Sequence, residues 1–209
     1  VSSYIKDHLY PDKKISLFLP WSECDYQKPI QVKKRNTVLY FGYIDFTRIN
    51  WNLFKKIVEQ TNYNYCIAGV LEKPPNIFFK ELINNDRVEF IGPKDIDELD
   101  LDDVFCALVP YIINHPSVSD MTLNNRIMRL LPNGIPSVIS DLPHFIRVSK
   151  DVIWKADSAD DFIEGINYFK KNFSVVQKSI EKFVNNNSAL HRYNQLIALI
   201  DELKSKVSI

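Results

Sequence analysis

A chain of 209 residues carries 26 basic and 26 acidic side chains, hence a formal net charge of zero, with 45% apolar and 25% charged residues. That length suits one sizeable domain with a full core. The balanced charge excludes a global attraction to nucleic acid, so any anion site must be local.

Val1 stands where a Met would open a complete chain, which points to an excised domain or fragment. "ISLFLPW" (15–21) reads as a strand and "QVKKRN" (31–36) as a linker, followed by the strand "TVLYFG" (37–42). "NWNLFKKIVEQ" predicts a helix capped by Asn50, with Trp51, Phe54, Ile57 and Val58 on one face. Strand "YCIAG", helix "NIFFKELINN", strand "VEFIG", a short acidic helix "DIDELD" and strand "VFCALVPY" come next. A helix then carries Ile127, Leu130 and Leu131 on one stripe and ends at Gly134 before the strand "PSVIS". "DVIWKA" reads as a further strand, and "SADDFIEGINYFKKN" as a helix with Ser158 and Asp161 set as a capping box. From 174 to 207 the pattern is helical with a break at 185–188, and Leu190, Ile197, Ile200 and Leu203 stand at core spacing.

Short, continuous, apolar strands alternating with helices describe an α/β fold, a doubly wound Rossmann-like parallel sheet with helices on both faces and a C-terminal helical extension. The expected organisation is a connecting segment at 1–35 (helix plus strand), a Rossmann-like domain at 36–172, and C-terminal helices at 173–209 packed on it. Gly42, Gly69 and Gly92 each end a strand, where open parallel sheets bind ligands and where glycine lets backbone come close. Neither GxGxxG nor GxxxxGK[ST] is present, so the dinucleotide and Walker fingerprints are missing. Cys24, Cys66 and Cys106 have no metal-ligand spacing; Cys66 and Cys106 read as buried free thiols in a reducing, cytoplasmic setting. No apolar run is long enough to span a bilayer, and no signal peptide is evident. Arg126 and Arg129 flank the apolar stripe of their helix, either as its wet face or as anion ligands.

The stretches "VLYFGYIDFTRINWNLF", "RVEFIGP", "FCALVPY" and "NNRIMRLLPNGIPSVISDLPHF", in that order after the opening segment, resemble the C-terminal, nucleotide-sugar-binding half of GT-B-fold glycosyltransferases. The likeness covers roughly residues 1–172 and is nearest to bacterial-type polysaccharide glycosyltransferases. It implies a diphosphate clamp. Arg48, six places after Gly42, stands where many members have a Lys, and a guanidinium can hold two phosphate oxygens. Tyr43 departs from the Arg that often follows the glycine. Arg126 takes the place of a diphosphate-binding Lys, and Asn124 and Asn125 cap that helix or meet the sugar. Gly92 and Pro93 correspond to the backbone that holds the base, with Gly42, Tyr43 and Tyr40 beside it. Met121 and Arg129 stand where retaining members have two Glu residues. Arg129 therefore fills the ribose slot but cannot accept hydroxyl hydrogen bonds. Asp120, Ser119, His115 and His144 complete the implied ribose or sugar pocket.

The resemblance implies a nucleotide-sugar-dependent glycosyltransferase, with transfer to a glycan or other hydroxyl acceptor from a UDP- or GDP-type donor. It implies no metal and no cofactor. It also implies an N-terminal acceptor-binding domain or partner that supplies any general base, so that this chain alone is incomplete for catalysis. Peripheral membrane association stays open, and nucleic acid is not expected as a partner. The alternative is a catalytically degenerate domain of the same fold, kept as a nucleotide-sugar-binding or assembly module.

Overall fold

A computed structural model describes residues 18–22, 24–29 and 35–207 of the chain. The strands are β1 (Thr37–Phe41), β2 (Asn64–Ala68), β3 (Val88–Gly92), β4 (Val104–Val109), β5 (Ser137–Ser140) and β6 (Ile153–Ala156). The helices are α1 (Trp51–Glu59), α2 (Ile77–Ile83), α3 (Pro116–Ser119), α4 (Asn125–Leu130), α5 (Ala159–Asn186) and α6 (Ala189–Val207). All strand pairs are parallel, in the order β3-β2-β1-β4-β5-β6. Most of the expected segment at 1–35, including the start of the strand at 15–21 and most of the linker, lies outside the described residues.

The chain winds outward from β1 to β3, then returns to β4 and proceeds to β6. Right-handed crossovers therefore place the first connections on one face of the sheet and the later ones on the other. α1 and α2 pack together on the first face, and α5 returns to touch α1 and β4. Strand periodicity divides the core accordingly. Val38 and Tyr40 enter the larger core, while Leu39 and Phe41 enter a smaller one with Ile96, Leu130 and Ile135. β4, central in the sheet, is buried at every position.

α1 forms as its sequence predicts: Asn50 accepts from Leu53 N, and Trp51, Phe54, Ile57 and Val58 are buried. Burying each of these side chains contributes about 1.5–3 kcal/mol. α5 is longer than expected, a single 28-residue helix capped by Ser158, so it runs through the boundary placed between 172 and 173. Phe162, Phe169, Ile180 and Val184 hold it on the sheet. Gly165 lets Trp154 lie against it, for a Cβ there would come within 2.6 Å of the indole ring.

Three expectations are corrected. Leu190, Ile197 and Ile200 on α6 form the predicted stripe but are 69%, 39% and 37% exposed, with Tyr193 and Leu196 beside them. Helical periodicity reports an apolar face, not whether anything covers it; the side chain of Leu203 lies outside the described residues. The acidic segment is only a 3-10 turn at Ile96–Glu98, because Asp95 and Glu98 close a capping box within three residues. Cys66 is half-buried, whereas Cys106 is buried as expected. Among the described residues, no helix is long and apolar enough to cross a membrane.

Candidate anion-binding site at the carboxyl edge of the sheet

The strand order reverses between β1 and β4, and a crevice opens beyond the carboxyl ends of strands at such a point. The first wall is glycine backbone. Gly42 follows β1 at φ +129° and donates its N–H to Ala68 O at 2.9 Å. A Cβ on Gly69 would lie 1.8 Å from Gly42 O, so only glycine permits this approach. Gly69 N in turn donates to Gly92 O at 2.8 Å, which aligns the ends of β1, β2 and β3.

Arg126, from the first turn of α4, lies on that wall. A Cβ on Gly42 would sit 2.6 Å from its Nε and 2.7 Å from its Nη2. Its Cζ is 4.7 Å from the Tyr40 ring centre and 5.9 Å from that of Tyr111. Among the described residues, Nη1 is buried and has no hydrogen-bond partner. Such an unmade bond costs on the order of 1–3 kcal/mol, more for a charged group. The Tyr40 hydroxyl donates to Tyr43 O at 2.7 Å, and burial pushes its pKa up to about 12, so it stays neutral beneath the guanidinium. Asn124 sets the start of α4: its Oδ1 accepts from Ile127 N, and its Nδ2 donates to Tyr111 Oη, both at 2.8 Å.

A cavity of about 380 Å³ opens beside Arg126, lined also by Gly42, Tyr43, Gly69, Pro93, Lys94, Asn125 and Arg129. Among the described residues, its lining contains three cationic side chains and no carboxylate. A second cavity of about 580 Å³ lies across Asn125 and Arg129, which line both. Trp21, Asp120, Met121 and Thr122 face this larger space. Arg129 reaches from α4 to the turn after β3, where its Nη2 meets Asp95 Oδ1, and its Cζ stands 5.4 Å from the Phe41 ring centre.

The other sequence-predicted residues divide between these cavities and their supports. Arg48 binds Asp45 Oδ2 through Nε and lies outside both linings. Burial works against the Asp45 carboxylate, but hydrogen bonds from the side chain and backbone of Thr47, and from Arg48, lower its pKa to about 2. His115 caps α3, its Nδ1 facing Ser117 N at 3.3 Å and Ser117 Oγ at 2.9 Å. Ser119 Oγ donates to Asp120 Oδ1 at 3.1 Å, and Asp120 lines the larger of these two cavities whereas His115 and Ser119 stand in neither lining. His144 also lies outside both linings, although Ile146 N bonds Thr122 O at 2.9 Å and brings its segment near the larger one. Gly92 has φ +73° and open space where a Cβ would be. Among the described residues, no group of three or more His, Cys, Asp or Glu side chains is arranged to hold a metal.

Sequence reasoning missed Asp45, Lys94, Asp95 and Tyr111. For Asp45 a signal existed, since "DFTR" has the Asp-x-Thr spacing of a side-chain-capped turn. The pairing of Asp95 with Arg129 spans 34 positions and leaves no periodic trace.

No protein-family profile and no curated protein sequence matches the chain. Solved structures do. The apo lipopolysaccharide outer core galactosyltransferase WaaB superposes with a TM-score of 0.65 at 15% identity, covering 96% of this chain and 60% of that one. The chain shares its fold with glycosyltransferases. A glycosyltransferase from Rickettsia africae gives a TM-score of 0.64 at 13% identity, over 97% of this chain and 62% of that chain. Anabaena HepE, in complex with UDP and glucose, gives 0.55 at 12% identity, over 80% and 49%. The chain thus spans about three fifths of the length of the first two structures.

Proposed function

We propose that this chain binds a nucleotide-diphosphate sugar across the two adjacent cavities and acts as the donor-binding half of a glycosyltransferase. The observation that carries this reading is Arg126. A guanidinium laid on a strand-ending glycine at the switch point, with Nη1 buried and without a hydrogen-bond partner among the described residues, suits an anion that can satisfy it. A diphosphate supplies that charge and the acceptor oxygens. In this reading the diphosphate lies at Asn125 and Arg129, which line both cavities, with the nucleoside on the Tyr43–Pro93 side and the sugar on the Asp120–Thr122 side. The fold shared with HepE, whose structure contains UDP and glucose, supports this class of ligand.

In the transfer, the bond from the anomeric carbon to the diphosphate oxygen breaks and a bond to an acceptor hydroxyl oxygen forms. The departing diphosphate gains negative charge, which Arg126 neutralises from a fixed position. The acceptor proton passes to a base on an acceptor-binding domain or partner. Arg48 contributes by holding Asp45 and its loop rather than by touching the donor. The reaction so written uses no cofactor and no metal.

Calorimetric titration of the chain with UDP and with GDP tests the reading. One of them is expected to bind saturably at a single site. The absence of saturable binding by both contradicts it.

A further inference from the structure

Resting on the nucleotide-sugar reading above, we propose that Asp95 is the ribose receptor of this site, accepting the hydroxyls of the ribose from the turn after β3. A nucleoside diphosphate brings two adjacent ribose O–H groups beside its phosphates, and these need acceptors once they leave water. Among the described residues, the smaller cavity is lined by the cations Lys94, Arg126 and Arg129, which cannot accept a hydrogen bond, and by Tyr43 and Asn125, whose oxygens are neutral acceptors. Asp95 is a charged acceptor bonded to that lining: it follows Lys94 in the chain and its carboxylate meets Arg129 Nη2.

The carboxylate is fixed and still open. Its Oδ1 accepts from Ile96 N at 2.7 Å, and Glu98 Oε2 accepts from Asp95 N at 2.8 Å, so the residue is held from both sides. Its side chain is 59% exposed. A carboxylate has about four acceptor positions, so capacity remains after the cap and the arginine are served. A hydroxyl reaching it meets an acceptor that needs no ordering on binding. Arg129 is then a positioning residue. It cannot receive the hydroxyls, but it ties the carboxylate to α4.

The test compares whichever of UDP or GDP binds with its 2′-deoxy counterpart, on the wild-type chain and on Asp95→Asn. Asparagine caps a helical turn about as well as aspartate, so the substitution preserves the fold, and matching melting curves verify this. Hydrogen bonds to a charged acceptor predict that the wild type prefers the ribonucleotide by about tenfold or more. In Asp95→Asn that preference falls below about threefold, while affinity for the deoxy form is unchanged or tighter. A merely structural role would weaken both ligands together. Equal binding of the two ligands by the wild type overturns the proposal, as does a preference that survives in Asp95→Asn. If no nucleotide binds the wild type at all, the nucleotide-sugar reading fails first, and this inference with it.

Discussion

Substituting Gly42 by Ala strikes two features at once, and the structure separates their magnitudes. The residue sits at φ +129°, a conformation that L side chains rarely adopt, which predicts strain of about 1–3 kcal/mol. For a domain of this size, that lowers the melting temperature by about 2–12 °C. The new Cβ would also fall 2.6 Å from Arg126 Nε and 2.9 Å from its Cζ, so the guanidinium must leave the glycine wall. If that guanidinium is the phosphate clamp, the charge-assisted bonds it forfeits are worth about 1.5–3 kcal/mol, or about 10- to 150-fold in nucleotide affinity. Thermal melting and calorimetric titration of the same preparation read both effects. In an Arg126→Ala background, Gly42→Ala keeps its stability cost but removes no further affinity, because the group it displaces is already gone. A Gly42→Ala chain that binds the nucleotide as tightly as wild type would refute the placement of the clamp.

Asp45 titrates at about 2 in the fold against an ordinary 3.8. A depressed carboxylate stabilises the fold above its unfolded pKa and loses that contribution as pH falls toward 2, about 2 kcal/mol in all. The difference in urea-unfolding stability between wild type and Asp45→Asn is therefore expected to be full at pH 6 and to shrink by pH 2; a difference independent of pH would contradict the assignment. On the C-terminal helices, Ile180→Ala in the α5 core is expected to cost about 2–5 kcal/mol. Ile200→Ser on the exposed face of α6 should change stability by no more than about 0.5 kcal/mol. A large loss at Ile200 in denaturant unfolding would show that α6 belongs to the core.

The sheet was legible because its signals are local. Strand 104–109 is a continuous apolar run, 88–92 closes on a glycine, and α1 carries both its cap and its buried face within eleven residues. Arg126 could be picked out because it sits beside an apolar stripe just before a Gly-x-Pro strand. What it rests on could not be read, since Gly42, Tyr40 and Tyr111 reach it only through the crossing of β1 and β4. Arg129 shows the same limit. The resemblance puts it where family members have a Glu, but the carboxylate that it meets comes from the turn after β3. Arg48 is the converse case, well spaced from Gly42 in sequence yet held in its own loop by Asp45. On α6 a correct period gave a correct face and the wrong burial, because coverage depends on elements outside the helix.

The central claim is that the Arg126 guanidinium is the anion clamp, and the most direct measurement is nucleotide affinity by calorimetry for wild type, Arg126→Ala and Arg48→Ala. The account predicts that Arg126→Ala loses about tenfold or more while Arg48→Ala stays within about threefold. Wild-type affinity in Arg126→Ala would contradict it.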